Sequence, residues 1–295
     1  MKTGGPCILN GKLLADTLKA EIAHSVAEGK ASGFRAPHLA AILVGNDGGS
    51  ETYVGHKVHA CEQVGITSTL LRFPDTISEE KLLHEVDVLN NHPDIDGFIV
   101  QLPLPGHINS QRILQAISPG KDVDGFHPEN VGKLMLGLPT FLSATPKGIM
   151  TLLERNAVSL DGQHCVIVGR SNIVGRPLSV LLSQANATVT VCHSRTKNLK
   201  EHCLQADILI AALGKPGFVR EDVVKEGAIV IDVGTTRVAD PEKKSGWRLS
   251  GDVDYNRVAP KCLMITPVPG GVGPMTVVSL LQNTIQAWKQ TMSIR

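Results

Sequence analysis

With 295 residues, 42% of them hydrophobic and 19% charged, the chain can build one large domain or two ordinary ones, and 3% aromatics leave its core to Val, Ile, Leu and Ala. A formal net charge of +1 argues against a nucleic-acid partner held by phosphate neutralisation. No apolar run approaches the ~18 residues of a membrane span, and the six cysteines and eleven histidines show neither a CxxC pair nor a metal-ligand spacing.

The opening stretch, MKTGGPCILNGK, lacks the apolar core of a signal peptide and the Arg-rich character of a transit peptide. A cytoplasmic protein is expected, and a mature organellar form would read the same. A helical pattern, LLADTLKAEIAHSVAEG, leads into the β-branched run LAAILVG (39–45). The next segment, SETYVGHKVHACEQVG (50–65), reads as a helix with 53, 57, 60 and 64 on one face and 54, 58 and 61 as the adjoining apolar stripe. Tyr53 and Lys57 therefore project side by side at the edge of the buried surface. His56 and His59 flank Lys57 without a third ligand.

Strand-like ITSTLLRF (66–73), helical SEEKLLHEVDVLNN and strand-like DGFIVQLPLP (96–105) follow. The alternation then breaks between 118 and 145, where Pro and Gly are dense and no period is clean. A domain boundary is placed at the end of that stretch, with Thr145 as N-cap and Pro146 as the first residue of the next helix. Beyond it come HCVIVGRS (164–171), a helix starting near Pro177, then ATVTVCHS (187–194), ADILIAAL (206–213), AIVIDVG (228–234) and CLMIT (262–266). Cys165 and Cys192 fall inside such runs, where a thiol is usually a small core residue, and a reducing compartment is expected. VADPEKKSGWRLSG (238–251) reads as a hairpin with a charged tip. The last helix, from about Met275 to Lys289, is expected to return to the first domain. Strand–helix alternation with near-continuous apolar strands predicts an α/β fold with mainly parallel sheets and right-handed crossovers. The division expected is 1–144 plus 276–295 for one domain and 145–275 for a second, Rossmann-like one.

In the second domain the strand HCVIVG runs straight into a helix, and Gly169 and Gly175 bracket the turn. Such a turn lets a phosphate approach backbone N–H groups at a helix start, although Gly-x5-Gly meets only half of the GxGxxG fingerprint. A tight turn with no ligand would use the same glycines. The following strand ends in His193-Ser194-Arg195 with no carboxylate for ribose hydroxyls. A guanidinium and a hydroxyl suit a 2′-phosphate instead, with Arg170 as a second cation, which favours NADP over NAD. A solvated Arg195 is the plainer account.

Lys57 also has a plain account, a lysine with a snorkelling stem. Three other stretches weigh against it. QLPLP (101–105) puts Gln101 at the carboxyl end of a buried strand, KDVDG (121–125) puts Asp124 in a turn, and PVPGGVGPMT (267–276) is a rigid Gly/Pro loop. Ligands of open α/β sheets bind outside the strands' carboxyl ends. A YxxxK pair also marks short-chain dehydrogenases, but there the nucleotide turn precedes it, whereas Tyr53 lies far upstream of Gly169.

YVGHK, VQLPLP, DVDG, GRSNIVGRP, CHSRT and PVPGGVGPMT, in this order, resemble the methylenetetrahydrofolate dehydrogenase/cyclohydrolases, the bifunctional FolD-type enzymes, over essentially the whole chain. The resemblance implies two three-layer αβα domains, one for folate and a Rossmann-like one for NADP, with the active site in an interdomain cleft of a homodimer. It implies oxidation of 5,10-methylenetetrahydrofolate by NADP⁺ and hydrolysis of the methenyl product to 10-formyltetrahydrofolate. By resemblance, Lys57 is the acid/base or electrostatic group of the hydrolytic step, and Gln101 bonds its ammonium. Tyr53 orients the folate, and Asp124 accepts from the pterin's amino-pyrimidine edge, as an acceptor-only carboxylate can. The backbone around Pro269, Gly270 and Gly273 approaches the folate. The cofactor falls to Gly169, Arg170, Ser171, Ile173, Gly175, Ser194, Arg195 and Thr235. No metal, membrane or nucleic acid is implied, and the synthetase domain fused in some relatives is expected to be absent. Ser143-Ala144 and Thr235-Thr236 depart from the family's usual Pro-Cys and Ile-Asn, the latter beside the expected nicotinamide position.

Overall fold

A computed structural model describes residues 5–243 and 246–293. In chain order its first half runs β1 (Cys7–Ile8), α1 (Gly11–Ala31), β2 (His38–Val44), α2 (Gly48–Val64), β3 (Thr67–Phe73), α3 (Glu79–Asn91), β4 (Gly97–Val100), α4 (Ser110–Ala116) and α5 (Pro128–Met135). The second runs α6 (Ala144–Arg155), β5 (His164–Val168), α7 (Gly175–Gln184), β6 (Thr188–Cys192), α8 (Leu199–Leu204), β7 (Ile208–Ala211), β8 (Ile229–Asp232), β9 (Thr236–Ala239), β10 (Trp247–Ser250), α9 (Tyr255–Val258), β11 (Met264–Ile265) and α10 (Val272–Ser293). All eight apolar runs singled out above contain a strand.

Two compact units result. One takes the residues up to Ala15 together with Thr145–Thr276. Its six-stranded sheet has the order β1-β11-β8-β7-β5-β6 and is parallel throughout. Every residue of β7 and β8 is buried, as the unbroken apolar runs require of strands covered on both faces. The chain leaves β5 for β6 on one side and then continues through β7 and β8 on the other. That reversal at the carboxyl end of β5 is where an open α/β sheet offers a ligand crevice.

The other unit takes Asp16–Ala144 and the chain from Val277 onward. Its sheet has the order β3-β2-β4, all parallel. Leu82, Val86 and Leu89 of α3 and Ile113 of α4 pack against Ala40, Ile42, Val44, Phe98 and Val100, one face of β2 and β4. Trp288 of α10 is fully buried, donates its indole N–H to Arg35 O at 3.1 Å and lies directly over Gly29 of α1. A Cβ on Gly29 would overlap the Trp288 ring. Gly29→Ala is therefore expected to destabilise the protein by ~1–3 kcal/mol, the usual penalty of overpacking, and to lower its melting temperature by several degrees. An unchanged melting temperature would show that the two helices are not in this contact.

Several expected boundaries move. Residues 5–15 fall with the six-stranded unit rather than with 16–144, because Cys7 N and Leu9 N bond Leu263 O and Ile265 O at 3.0 and 2.9 Å. Two residues of strand are too few to show periodicity. Helix α6 starts at Ala144 rather than after a Thr145 cap, and the Thr145 hydroxyl instead meets that of Thr276 at 3.0 Å. The stretch 118–145 contains α5, which Pro128 opens and the His127 side chain caps through Glu129 N at 3.1 Å. Helices α7 and α10 begin earlier than expected, at Gly175 and Val272, since a proline in a helix's first turn needs no N–H partner. The hairpin forms from antiparallel β9 and β10, and the Lys244 and Ser245 of its charged tip lie outside the described residues.

Candidate active site

Helix α2 is capped by Asp47, whose carboxylate accepts from Ser50 N at 2.8 Å, and is ended by Gly65 in the left-handed region. Its buried face is Ser50, Val54, Lys57, Ala60, Cys61 and Val64. Lys57 thus sits within the buried stripe rather than at its edge, with only 8% of its surface exposed, while Val58 is half-buried. An ammonium in that position is costly unless it is bonded. Its Nζ donates to Gln101 Oε1 at 3.1 Å. The Gln101 carboxamide is oriented for this, because its Nε2 donates to Leu102 O at 2.8 Å and leaves the oxygen facing the lysine. Gln101 N continues the sheet beyond β4 by donating to Ile42 O at 2.9 Å.

Asp124 belongs to the same group. Burial pushes its carboxyl above the usual carboxylate range, the Lys57 ammonium pulls it back, and the neighbouring Asp122 charge pushes it up again. Tyr53, one turn before Lys57 on α2, is half-buried. Tyr53, Lys57, Gln101 and Asp124 all belong to the three-stranded unit.

Residues not anticipated hold the Asp124 turn. Asp122 is buried and accepts from His127 N at 2.7 Å and Asn130 Nδ2 at 2.8 Å. Asn283, buried on α10, donates to Val123 O at 2.7 Å and Leu142 O at 2.9 Å, and Ser143 Oγ donates to Gly125 O at 3.0 Å. The Asp-x-Asp repeat of KDVDG was the available signal: one carboxylate turns inward to satisfy backbone, and the other keeps some exposure.

In the six-stranded unit, Gly169 leaves β5 at φ +141°, its N–H donating to Cys192 O at 2.9 Å. A Cβ there would strike Ala212 O, and one on Gly175 would strike Gly169 O, so the turn closes on itself and on the end of β7. Ser171 Oγ accepts from Val174 N at 3.1 Å and Gly175 N at 3.4 Å, so the hydroxyl already fills the first donors of α7. Arg170, Ser171 and Ile173 are exposed on the turn. The end of β6 is shaped by its own side chains: His193 N donates to Thr196 Oγ1 at 2.8 Å and Arg195 N to His193 Nδ1 at 3.1 Å. Ser194 and Arg195 are exposed there, and so is Thr235 beyond β8. A glycine turn at the sheet's reversal, with cations on it and on the neighbouring strand end, is a donor set that fits a phosphorylated dinucleotide.

Pro269, Gly270 and Gly273 lie in this unit too. Gly270 has φ +103° and accepts from Lys12 N at 2.9 Å, and the space beside Gly273 is open. Among the described residues no group of three or more His, Cys, Asp or Glu could hold a metal, and no helix is long and apolar enough to cross a membrane. Five cysteines, Cys165 and Cys192 among them, are buried, and Cys7 is exposed.

Two family models match the chain: residues 9–124 the catalytic domain of tetrahydrofolate dehydrogenase/cyclohydrolase, and 143–292 its NAD(P)-binding domain. The chain belongs to the tetrahydrofolate dehydrogenase/cyclohydrolase family. Within it, the bifunctional protein FolD of Bacteroides thetaiotaomicron is 58% identical over 287 residues, covering 96% of this chain and 98% of that protein. The crystal structure of the bifunctional FolD of Campylobacter jejuni superposes with a TM-score of 0.91 at 46% identity, over 96% of this chain and 98% of that one. The FolD of Trypanosoma brucei, solved with NADP cofactor and an inhibitor, gives a TM-score of 0.94 at 38% identity, over 99% and 100%. Family membership accounts for the two-domain α/β fold.

Proposed function

We propose that this protein oxidises 5,10-methylenetetrahydrofolate to 5,10-methenyltetrahydrofolate with NADP⁺ and hydrolyses the methenyl cation to 10-formyltetrahydrofolate. The observation that carries the reading is the buried Lys57 side chain, whose Nζ bonds Gln101 and whose charge acts on Asp124. A stem that merely snorkels would send its ammonium to water, not into a buried stripe.

Each residue then has a task. Asp124 accepts from the pterin's donor edge, and Tyr53 orients the ring beside Lys57. When water adds to the methenyl carbon, a proton must leave as the ring opens. Lys57 is the group that takes or directs it, and the Gln101 oxygen fixes its Nζ. The backbone of Pro269, Gly270 and Gly273 meets the folate. Gly169, Arg170, Ser171, Ile173, Gly175, Ser194, Arg195 and Thr235 would hold NADP⁺, which supplies the hydride acceptor when bound. The working form in this reading is a cytoplasmic homodimer whose partners are tetrahydrofolate derivatives.

One absorbance assay tests it. Methylenetetrahydrofolate is supplied with NADP⁺ or NAD⁺ in turn, and the NADPH and methenyl bands are followed. Reduced nucleotide with the methenyl band decaying faster than the spontaneous rate is the expected result. Reduction alone would make the protein a monofunctional dehydrogenase, and hydrolysis of supplied methenyltetrahydrofolate alone a cyclohydrolase. Nucleotide binding without either reaction would leave a silent dinucleotide-binding protein.

A further inference from the structure

Two carboxylates buried in the six-stranded unit have no task in the scheme above. Asp232 closes β8 and Asp252 follows β10, and they are 3% and 0% exposed. Among the described residues neither makes an ion pair. A buried carboxylate is costly unless its oxygens are filled, and here backbone N–H groups fill them.

Asp252 Oδ2 accepts from Leu213 N at 2.6 Å and Gly214 N at 2.9 Å, and its Oδ1 from Lys215 N at 2.7 Å. Asp232 Oδ1 accepts from Gly234 N at 3.0 Å and Asp252 N at 2.8 Å, and its Oδ2 from Val253 N at 2.9 Å. Asp232 N in turn donates to the Thr266 hydroxyl at 2.7 Å. The bonds form one chain linking the segments that follow β7, β8, β10 and β11. Glycine permits the closeness: a Cβ on Gly234 would strike the Asp252 carboxylate, and one on Gly251 the Asp232 carboxylate. The segment after β7 also carries Ala212, against which Gly169 of the nucleotide turn is packed.

We propose that Asp232 and Asp252 are positioning residues for the dehydrogenase half of the reaction, fixing the strand-end segments Leu213–Lys215 and Gly234–Thr235 that flank the dinucleotide site. This rests on the functional reading above. An aspartate suits the task because its oxygens only accept, so each takes three N–H groups at once, whereas an asparagine would turn an NH₂ toward one of them. The arrangement is held against an electrostatic cost. Burial, with the Asp252 charge adding to it, pushes the Asp232 carboxyl up to about 6 despite its three N–H partners. A scaffold needing only packing would have no use for two like charges here.

Asp252→Asn tests the brace on the purified full chain. NADP⁺ affinity is measured by titration calorimetry without folate, and both activities are assayed on the same preparation. Misplacement of a segment flanking the cofactor is expected to weaken NADP⁺ by ~10-fold and lower dehydrogenase kcat/KM by ~10–100-fold. Hydrolysis of supplied methenyltetrahydrofolate uses Lys57, Gln101 and Asp124 of the other unit and the Pro269–Gly273 backbone, whereas the Asp252 carboxylate bonds Leu213, Gly214 and Lys215, so that activity is expected to stay within about 2-fold. Equal loss of both activities would make the brace ordinary scaffold and overturn the proposal, and so would unchanged NADP⁺ affinity. Should Asp252→Asn fail to fold, Gly234→Ala presses on the same carboxylate from the other side and must show the same split. A wild-type protein lacking both activities would defeat the functional reading instead, and the NADP⁺ titration would still decide whether the brace shapes the nucleotide site.

Discussion

Lys57→Met is expected to remove cyclohydrolase activity while NADP⁺ binding survives. General acid–base groups contribute ~10²–10⁴-fold, so turnover of methenyltetrahydrofolate should fall at least ~100-fold, toward the spontaneous rate. Methionine is the informative replacement because it keeps an unbranched apolar stem in the buried stripe of α2 and removes only the ammonium, with its charge and its donors. The change leaves Gln101 Oε1 without its donor and Asp124 without its cation. Leaving a buried acceptor unfilled costs ~1–3 kcal/mol and a half-buried one such as Gln101 Oε1 less, so at most a modest fall in melting temperature accompanies the loss without explaining it. Loss of the Lys57 charge also removes what holds the Asp124 carboxyl down, so folate affinity should weaken as Asp124 protonates more readily. Hydrolysis continuing at the wild-type rate in a folded Lys57→Met protein would defeat the assignment of Lys57.

How much of this was legible in the sequence depended on the range of the signal. Strands covered on both faces announce themselves as unbroken apolar runs, and β2, β4, β5, β7 and β8 all did. The glycines at 169 and 175 and the cations at 170 and 195 were readable as a candidate because a phosphate site needs those residue types within a short span. Pairing between distant segments left no such trace. Nothing in CIL at the start of the chain says that Cys7 and Ile8 will lie beside Met264 and Ile265. Asn283 looks like any polar residue of α10 until it reaches Val123 O and Leu142 O, far away in sequence. Asp232 and Asp252 likewise read as strand-end and turn aspartates, since their partners are backbone N–H groups and backbone has no letter. Lys57 is the instructive middle case. Helical periodicity placed it beside the buried stripe, but only the Gln101 oxygen explains why it lies inside.

Arg195→Ala separates the two nucleotides. Arg195 is exposed at the end of β6, and the bond that shapes its turn, from Arg195 N to His193 Nδ1, uses backbone and survives truncation of the side chain. The fold should therefore be unaffected, as expected of an exposed substitution outside a buried network. What disappears is a guanidinium suited to a 2′-phosphate. Hydrogen bonds to charged groups contribute ~1.5–3 kcal/mol, so the Kd for NADP⁺ should rise ~10–100-fold. NAD⁺ lacks that phosphate and should bind within about 2-fold of wild type, there being no charged bond to lose. Because the pair is exposed, the wild-type preference for NADP⁺ should also shrink with added salt, and the variant's smaller preference should shrink less. Arg170, on the adjoining turn, limits the loss: removing it as well should cost less than the sum of the single changes if both cations serve one phosphate. Equal weakening of NADP⁺ and NAD⁺ by Arg195→Ala would place the 2′-phosphate elsewhere, and an additive double variant would separate the two arginines.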